Sequence, residues 1–291
     1  NLKTSVGRIT DEYGFSVENT PMGEMRVVTP VRLAGTTFQG NTIDTNFWTA
    51  TVANAATVTQ TDGNVILATN TTANATSSLQ TVRAGRYIAG IANRFRSSVE
   101  LVSGGVTNNT RRWGVFTTTD GAFFELAGTV LKVVTRKAST DTAVSNGSFN
   151  GVFGTTIAVP TGATTFEIYY TNSKVYFVIG DTILHTVMTT TGTWTSQLTL
   201  PVRLENNNSG GSTTNVTLEC RAASVFRLGL LSTETQYGHI TTNATTVLKY
   251  GAGRLHRIVK GSGGTIVIYD NTAGSGTVIY TLSGTTPVGS I

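Results

Sequence analysis

The chain has 291 residues, a formal net charge of +5 and only 13% charged residues, against about 25% in an average globular protein. Its surface therefore reads as neutral and hydroxyl-rich, and abundant Thr, Asn and Gly favour strands and turns over helices. A single cysteine excludes an internal disulfide and a thiolate-only metal site, and no run of eighteen apolar residues is present, so the chain reads as soluble, without membrane insertion.

Residues 1 to 34 mix polar and β-branched types, with Pro21 and Pro30 interrupting any pairing. They are expected to form an extended N-terminal arm, held by a neighbouring subunit because its Val, Met and Tyr cannot be buried alone. The start "NLKTSVGRIT" has no apolar segment of a signal peptide. From residue 35 to 230 short apolar runs recur between turn signals, as in "GNVILATN", "FRSSVELV" and "RRWGVFTTTDGAFFELAGTVLKVVTRK", which predicts a β-sandwich or barrel. Asp120-Gly121 and Ala127-Gly128 mark hairpin turns. In "TFEIYYTNSKVYFVIGDTILHTV" Phe166, Ile168 and Tyr170 share one parity, as do Val175, Phe177 and Ile179. With Gly180-Asp181 as the second reversal, this is an antiparallel meander. "ENNNSGGSTTN" reads as a flexible loop before the strand "NVTLECRAA", in which Cys220 shares parity with Val216 and Leu218 and is expected to be a core thiol. Residues 231 to 291 carry three or four further strands between Gly-rich turns, with "TIVIYD" and "TVIYTL" flanking "NTAGSG" as a hairpin. This predicts a second, smaller β-domain that reads as incomplete.

Candidate chemistry is sparse. Laminarinase-like sandwiches place their acid and base in a tight E-x-D-x-x-E strand motif, and it is absent: Asp120, Glu125, Asp141, Glu167, Asp181, Glu205 and Glu219 stand singly. His185, His239 and His256 lie far apart and show no metal-ligand spacing, no G-x-S-x-G elbow surrounds a serine, and "GSGG" at 261 to 264 precedes a strand rather than a helix. No catalytic residue, metal or cofactor is therefore expected. The pI near 9.4 raises nucleic acid as a partner, yet Arg83, Arg86, Arg94, Arg96, Arg111, Arg112, Arg136 and Lys137 accompany no recognition motif, so they read as a solvated face and no nucleic acid is expected. Among the tryptophans, Trp113 shares parity with Val115 and reads as core, whereas Trp194 follows a polar loop and is the better platform for stacking on a sugar.

The meander resembles the back-sheet signature of laminin-G and concanavalin-like jelly rolls, and "LPVRLENNNSGGSTTNVTLECRAASV" looks like their closing strands. That likeness implies an all-β jelly-roll sandwich. "NFWTATVANAATVTQTDGNVILATN", "RRWGVFTTTDGAFFEL" and "VLKYGAGRLHRIV" further resemble virion structural proteins of tailed bacteriophages. The resemblance implies a non-enzymatic virion component, a head decoration or tail protein, assembled in the bacterial cytoplasm. It would be held as a homo-oligomer to other virion proteins through its arm. The second reading is a carbohydrate-binding adhesin for a host-surface glycan, contacted by Trp194 and by Asn206, Asn207 and Asn208 of the Asn-rich loop.

Overall fold

The computed structural model describes residues 30–87, 91–171, 174–188, 194, 199–210, 214–230, 239–248, 255, 257–271, 273–285 and 289–290. Among them there is no helix. The first strands in chain order are β1 (Val31–Thr37), β2 (Trp48–Ala53), β3 (Thr57–Thr61), β4 (Asn64–Ala68), β5 (Thr76–Thr81), β6 (Gly85–Arg86) and β7 (Ile91–Glu100). Then come β8 (Asn109–Phe116), β9 (Gly121–Ala127), β10 (Val130–Lys137), β11 (Thr140–Ser145), β12 (Thr164–Tyr170), β13 (Lys174–Ile179) and β14 (Thr182–Met188). The last are β15 (Thr199–Leu200), β16 (Val202–Asn208), β17 (Thr217–Leu230), β18 (Val259–Lys260), β19 (Ile266–Tyr269), β20 (Val278–Leu282) and β21 (Gly289–Ser290).

Two antiparallel sheets make a jelly-roll sandwich, as expected. One has seven strands in the order β11–β10–β9–β8–β16–β5–β2. The other has eight, in the order β14–β13–β12–β7–β17–β4–β3, with β1 also paired to β17. β17 runs 14 residues, which lets β4 pair with it at Thr217 to Cys220 and β1 from Ala222 onward, past a register shift between Cys220 and Ala222. Val31 to Ala34, assigned to the arm by the sequence, thus belong to an edge strand; residues 1–29 lie outside the described residues.

The period-two pattern explains the core. Trp113 of β8 stacks on Phe124 of β9 with ring centroids 5.8 Å apart, and both meet Phe166 of β12 edge-on at 5.0 Å, so inner faces of the two sheets interdigitate. Phe166, Ile168, Tyr170, Val175, Phe177 and Ile179 all enter this core, as their parity predicts. The opposite parity is buried too: Tyr169, Tyr176 and Val178 form a second apolar cluster on the outer face of the eight-stranded sheet. The turns follow from residue chemistry. Gly180 supplies φ +65° between β13 and β14, and Gly128 φ +57° between β9 and β10, where a side chain would be strained. Beyond the sandwich, β19 pairs with β20 as the predicted hairpin, and β18 pairs with β21.

Candidate functional site

Parity along β16 settles the fate of the Asn-rich segment. Val202, Leu204, Asn206 and Asn208 are buried, whereas Arg203, Glu205 and Asn207 lie on the other face. Asn206 donates to the carbonyls of Leu67 (2.8 Å) and Val216 (2.7 Å) and accepts from Asn109 Nδ2 (2.8 Å). Asn208 donates to the carbonyls of Asn70 (3.2 Å) and Thr72 (3.1 Å) and accepts from Asn109 Nδ2 (2.9 Å). These amides satisfy backbone groups inside the sandwich, as buried polar side chains must. Asn207 alone is partly exposed, between Thr110 and Thr76. The expectation of a loop presenting Asn206, Asn207 and Asn208 is corrected: they are strand residues, and two of them are internal struts. Trp194 is corrected as well. It is 0% exposed, in the main core, with its ring 5.8 Å from Tyr170, because burial of a large aromatic surface outweighs the polarity of its flanks.

Other single residues fall where the sequence places them. Trp113 and Cys220 are buried, and desolvation pushes the Cys220 thiol up to about 12. His185 is buried with its pKa lowered by desolvation, His239 is exposed, and His256 lies outside the described residues. Among the described residues no three His, Cys, Asp or Glu side chains gather as a metal site.

The expected solvated face holds for Arg83, Arg86 and Arg96, which are exposed, but not for Arg111, and Arg94, Arg112 and Arg136 are held in ion pairs. Arg111 points inward and is fully buried; burial lowers its pKa to about 10, and it donates to the carbonyls of Thr217 (3.2 Å) and Gly104. Its neighbour Arg112 points outward from the seven-stranded sheet, where strand registers assemble a charged row. Lys132 on β10 is opposite Glu125 on β9, Glu125 is opposite Arg112 on β8, and Arg112 is opposite Glu205 on β16. Charge alternates across four adjacent strands. Arg112 Nε lies 2.8 Å from Glu125 Oε2 and its Nη1 3.5 Å from Glu205 Oε2. Lys132 Nζ lies 3.3 Å from Glu125 Oε1, and Arg203 Nε 2.7 Å from Glu205 Oε1. Both carboxylates are only 7% exposed.

A second row explains that burial. Gly114 stands opposite Phe123 and Arg203, and a Cβ there would come within 2.4 Å of the Ala122 carbonyl oxygen. Phe116 and Phe123, 4.5 Å apart, flank this glycine and are fully buried although they belong to the outer face. Guanidinium groups roof them: Arg112 (5.6 Å) and Arg136 (4.9 Å) over Phe123, and Arg203 (5.7 Å) over Phe116. Arg136 is forked to Asp141 at 2.6 and 2.9 Å, which holds the Asp141 carboxyl below its ordinary range. Acids that stand singly in the sequence are therefore gathered: Glu125 and Glu205 flank one guanidinium. Their strands are separated by β8 alone, so their backbones lie about 9.6 Å apart, two strand spacings.

No protein-family model matches the chain, and no curated protein of similar sequence does. Solved structures match its fold. The catalytic domain of an endo-1,3-beta-glucanase (laminarinase) from Thermotoga petrophila RKU-1 superimposes with TM-score 0.53 at 10% identity, over 69% of this chain and 98% of that one. The endo-beta-1,3-glucanase from Pyrococcus furiosus gives TM-score 0.53 at 10% identity, over 71% and 100%. An endo-acting O-glycanase structure from human gut microbiota, described for mucin breakdown, gives 0.53 at 13%, over 68% and 100%. The fold is shared with glycan-cleaving domains. At such identities the likeness establishes architecture. It nevertheless overturns two expectations, that of a non-enzymatic virion display module and the accompanying one that the chain is not an enzyme, because the matched architectures are those of carbohydrate-active enzymes.

Proposed function

We propose that this is a carbohydrate-active protein that lays a glycan chain across the outer face of its seven-stranded sheet, with Glu125 and Glu205 as the carboxylates of a glycoside hydrolase. The observation that carries this reading is the Glu125–Arg112–Glu205 arrangement, with both carboxylates on one guanidinium. Hydrolysis of a glycosidic bond needs two carboxyl groups on opposite sides of the scissile linkage, separated by roughly 6.5–9.5 Å where water attacks directly. Two strand spacings set the two backbones about 9.6 Å apart, and the carboxylates, both reaching to the guanidinium between them, lie closer together than that. The carboxylates come from two strands rather than from one tight motif, which distinguishes this site from the E-x-D-x-x-E pattern. Arg112 fills the gap between them, so a sugar hydroxyl must take over part of its hydrogen bonding before either carboxyl group can move a proton.

The test is release of reducing sugar from a panel that includes β-1,3-glucan and mucin O-glycans, with Glu125→Gln and Glu205→Gln as controls. Cleavage abolished by either substitution supports the reading. A wild-type protein that neither cleaves nor binds any glycan of the panel refutes it.

A further inference from the structure

We propose that the glycan taken by this face is acidic, a polysaccharide bearing uronate carboxylates or sulfate esters; this rests on the reading of the face as a glycan site. Acceptors there are already engaged. Glu125 receives Lys132 on one oxygen and Arg112 on the other, Glu205 receives Arg203 and Arg112, and both oxygens of Asp141 receive Arg136. Gln80 Oε1 accepts from Arg203 Nη1 at 2.9 Å. Donors remain. No described residue takes a hydrogen bond from Nη2 of Arg112 or of Arg203, and Lys132 Nζ spends one of its three protons on Glu125. An entering group thus meets N–H donors, and a guanidinium edge with parallel N–H vectors matches a carboxylate or a sulfate.

Two further observations point the same way. Four cationic side chains, Arg112, Lys132, Arg136 and Arg203, face three carboxylates, Glu125, Asp141 and Glu205, leaving one positive charge in surplus. A neutral pyranose would stack on an exposed aromatic ring, and the two rings of this face, Phe116 and Phe123, are fully buried beneath guanidinium groups. Beyond β16 the same rows continue into uncharged Ser78 and Gln80 of β5 and Thr51 and Thr49 of β2, suited to the hydroxyls of the flanking sugars.

The test is calorimetric titration of the full chain with polygalacturonate, dextran sulfate and neutral β-1,3-glucan. The expected result is binding of one or both acidic polymers at least about tenfold tighter than the neutral one, the pair of acidic arms telling carboxylate from sulfate. Arg203→Gln should weaken acidic binding about tenfold or more, the order of one charge-assisted hydrogen bond. Lys132→Gln, at the rim of the row, does the same if Arg203→Gln fails to fold. Arg32→Gln and Arg221→Gln on the eight-stranded sheet remove the same charge and should leave binding unchanged. Equal loss in these controls means attraction to net charge alone and overturns the proposal. Preference for the neutral glucan overturns it while leaving the glycan site standing, and absence of binding to all three, with no cleavage of any glycan, overturns both.

Discussion

The outer faces of the two sheets use the same residue types to opposite ends. On the eight-stranded sheet Glu167 is fully buried and receives two arginines, Arg94 and Arg96, the latter at 3.2 Å, amid Tyr169, Tyr176 and Val178. Arg94 also lies 5.2 Å over the Tyr169 ring. One carboxylate with two guanidinium partners inside an apolar cluster is a lock: any change leaves charge buried without its counterion. On the seven-stranded sheet two carboxylates share Arg112, each keeps a second cation, and donor groups stay at the surface. Arginines on strands thus close in on a single carboxylate on one sheet, and on the other form with glutamates an alternating row that leaves N–H donors at the surface.

The largest effect should separate the two faces. Glu167→Gln is expected to cost about 3 kcal/mol by removing the buried carboxylate that neutralises Arg94 and Arg96, roughly a 6–12 °C fall in melting temperature. Glu205→Gln, whose partners Arg112 and Arg203 keep part of their surface in water, should cost less, about 1–2 kcal/mol, while abolishing glycan cleavage. Equal destabilisation by both substitutions, measured by urea denaturation, would erase the distinction between lock and site.

Acid titration sharpens the comparison further. His185, on β14 of the eight-stranded sheet, has a pKa lowered by burial, so the unfolded chain binds its proton more readily, and stability should fall as pH drops below about 6.5. The slope is at most about 1.4 kcal/mol per pH unit, and His185→Gln should remove it. Asp141, on the other sheet, has a depressed pKa through its hydrogen bond to Arg136. Its contribution is present above the unfolded value near 3.8 and vanishes as pH falls further, through the folded value. Because Asp141 is about a third exposed, Asp141→Asn should cost only about 0.5 kcal/mol at neutral pH. Stability profiles that break in one shared pH range would contradict this assignment.

The smallest effects concern the core between the faces and its rim. Cys220 should resist a thiol reagent at pH 8 until the chain is unfolded, since burial pushes its thiol up to about 12. Modification of the native protein at the rate of a free thiol would show that the strand opens locally. At the β10–β11 turn Ala138 and Ser139 both hold positive φ, 48° and 66°, in a two-residue loop that favours Asn-Gly. Ser139→Gly should therefore stabilise the rim beside Arg136 and Asp141 by up to about 1 kcal/mol, read as a higher urea midpoint.

Much of the fold was legible along the chain because the pleat imposes a local rule. The parity of the 165–187 meander, the turns at Gly180 and Gly128, the burial of Trp113 and Cys220 and the 266–282 hairpin all follow from neighbours within a few residues. The same rule reaches the site as well. Asn206 and Asn208 share parity with Val202 and Leu204, which already turns them inward, and the β8–β9 hairpin already sets Arg112 opposite Glu125. What only the tertiary structure decided is the arrival of β16 beside β8. That pairing joins segments some ninety residues apart, setting Glu205 against Arg112 at 3.5 Å. It also brings Arg203 over Phe116. No local pattern encodes such a register, because a slip of one residue would satisfy the backbone hydrogen bonds equally well; it is selected by burying Val202 and Leu204 on one face, and the charged row on the other face is its consequence.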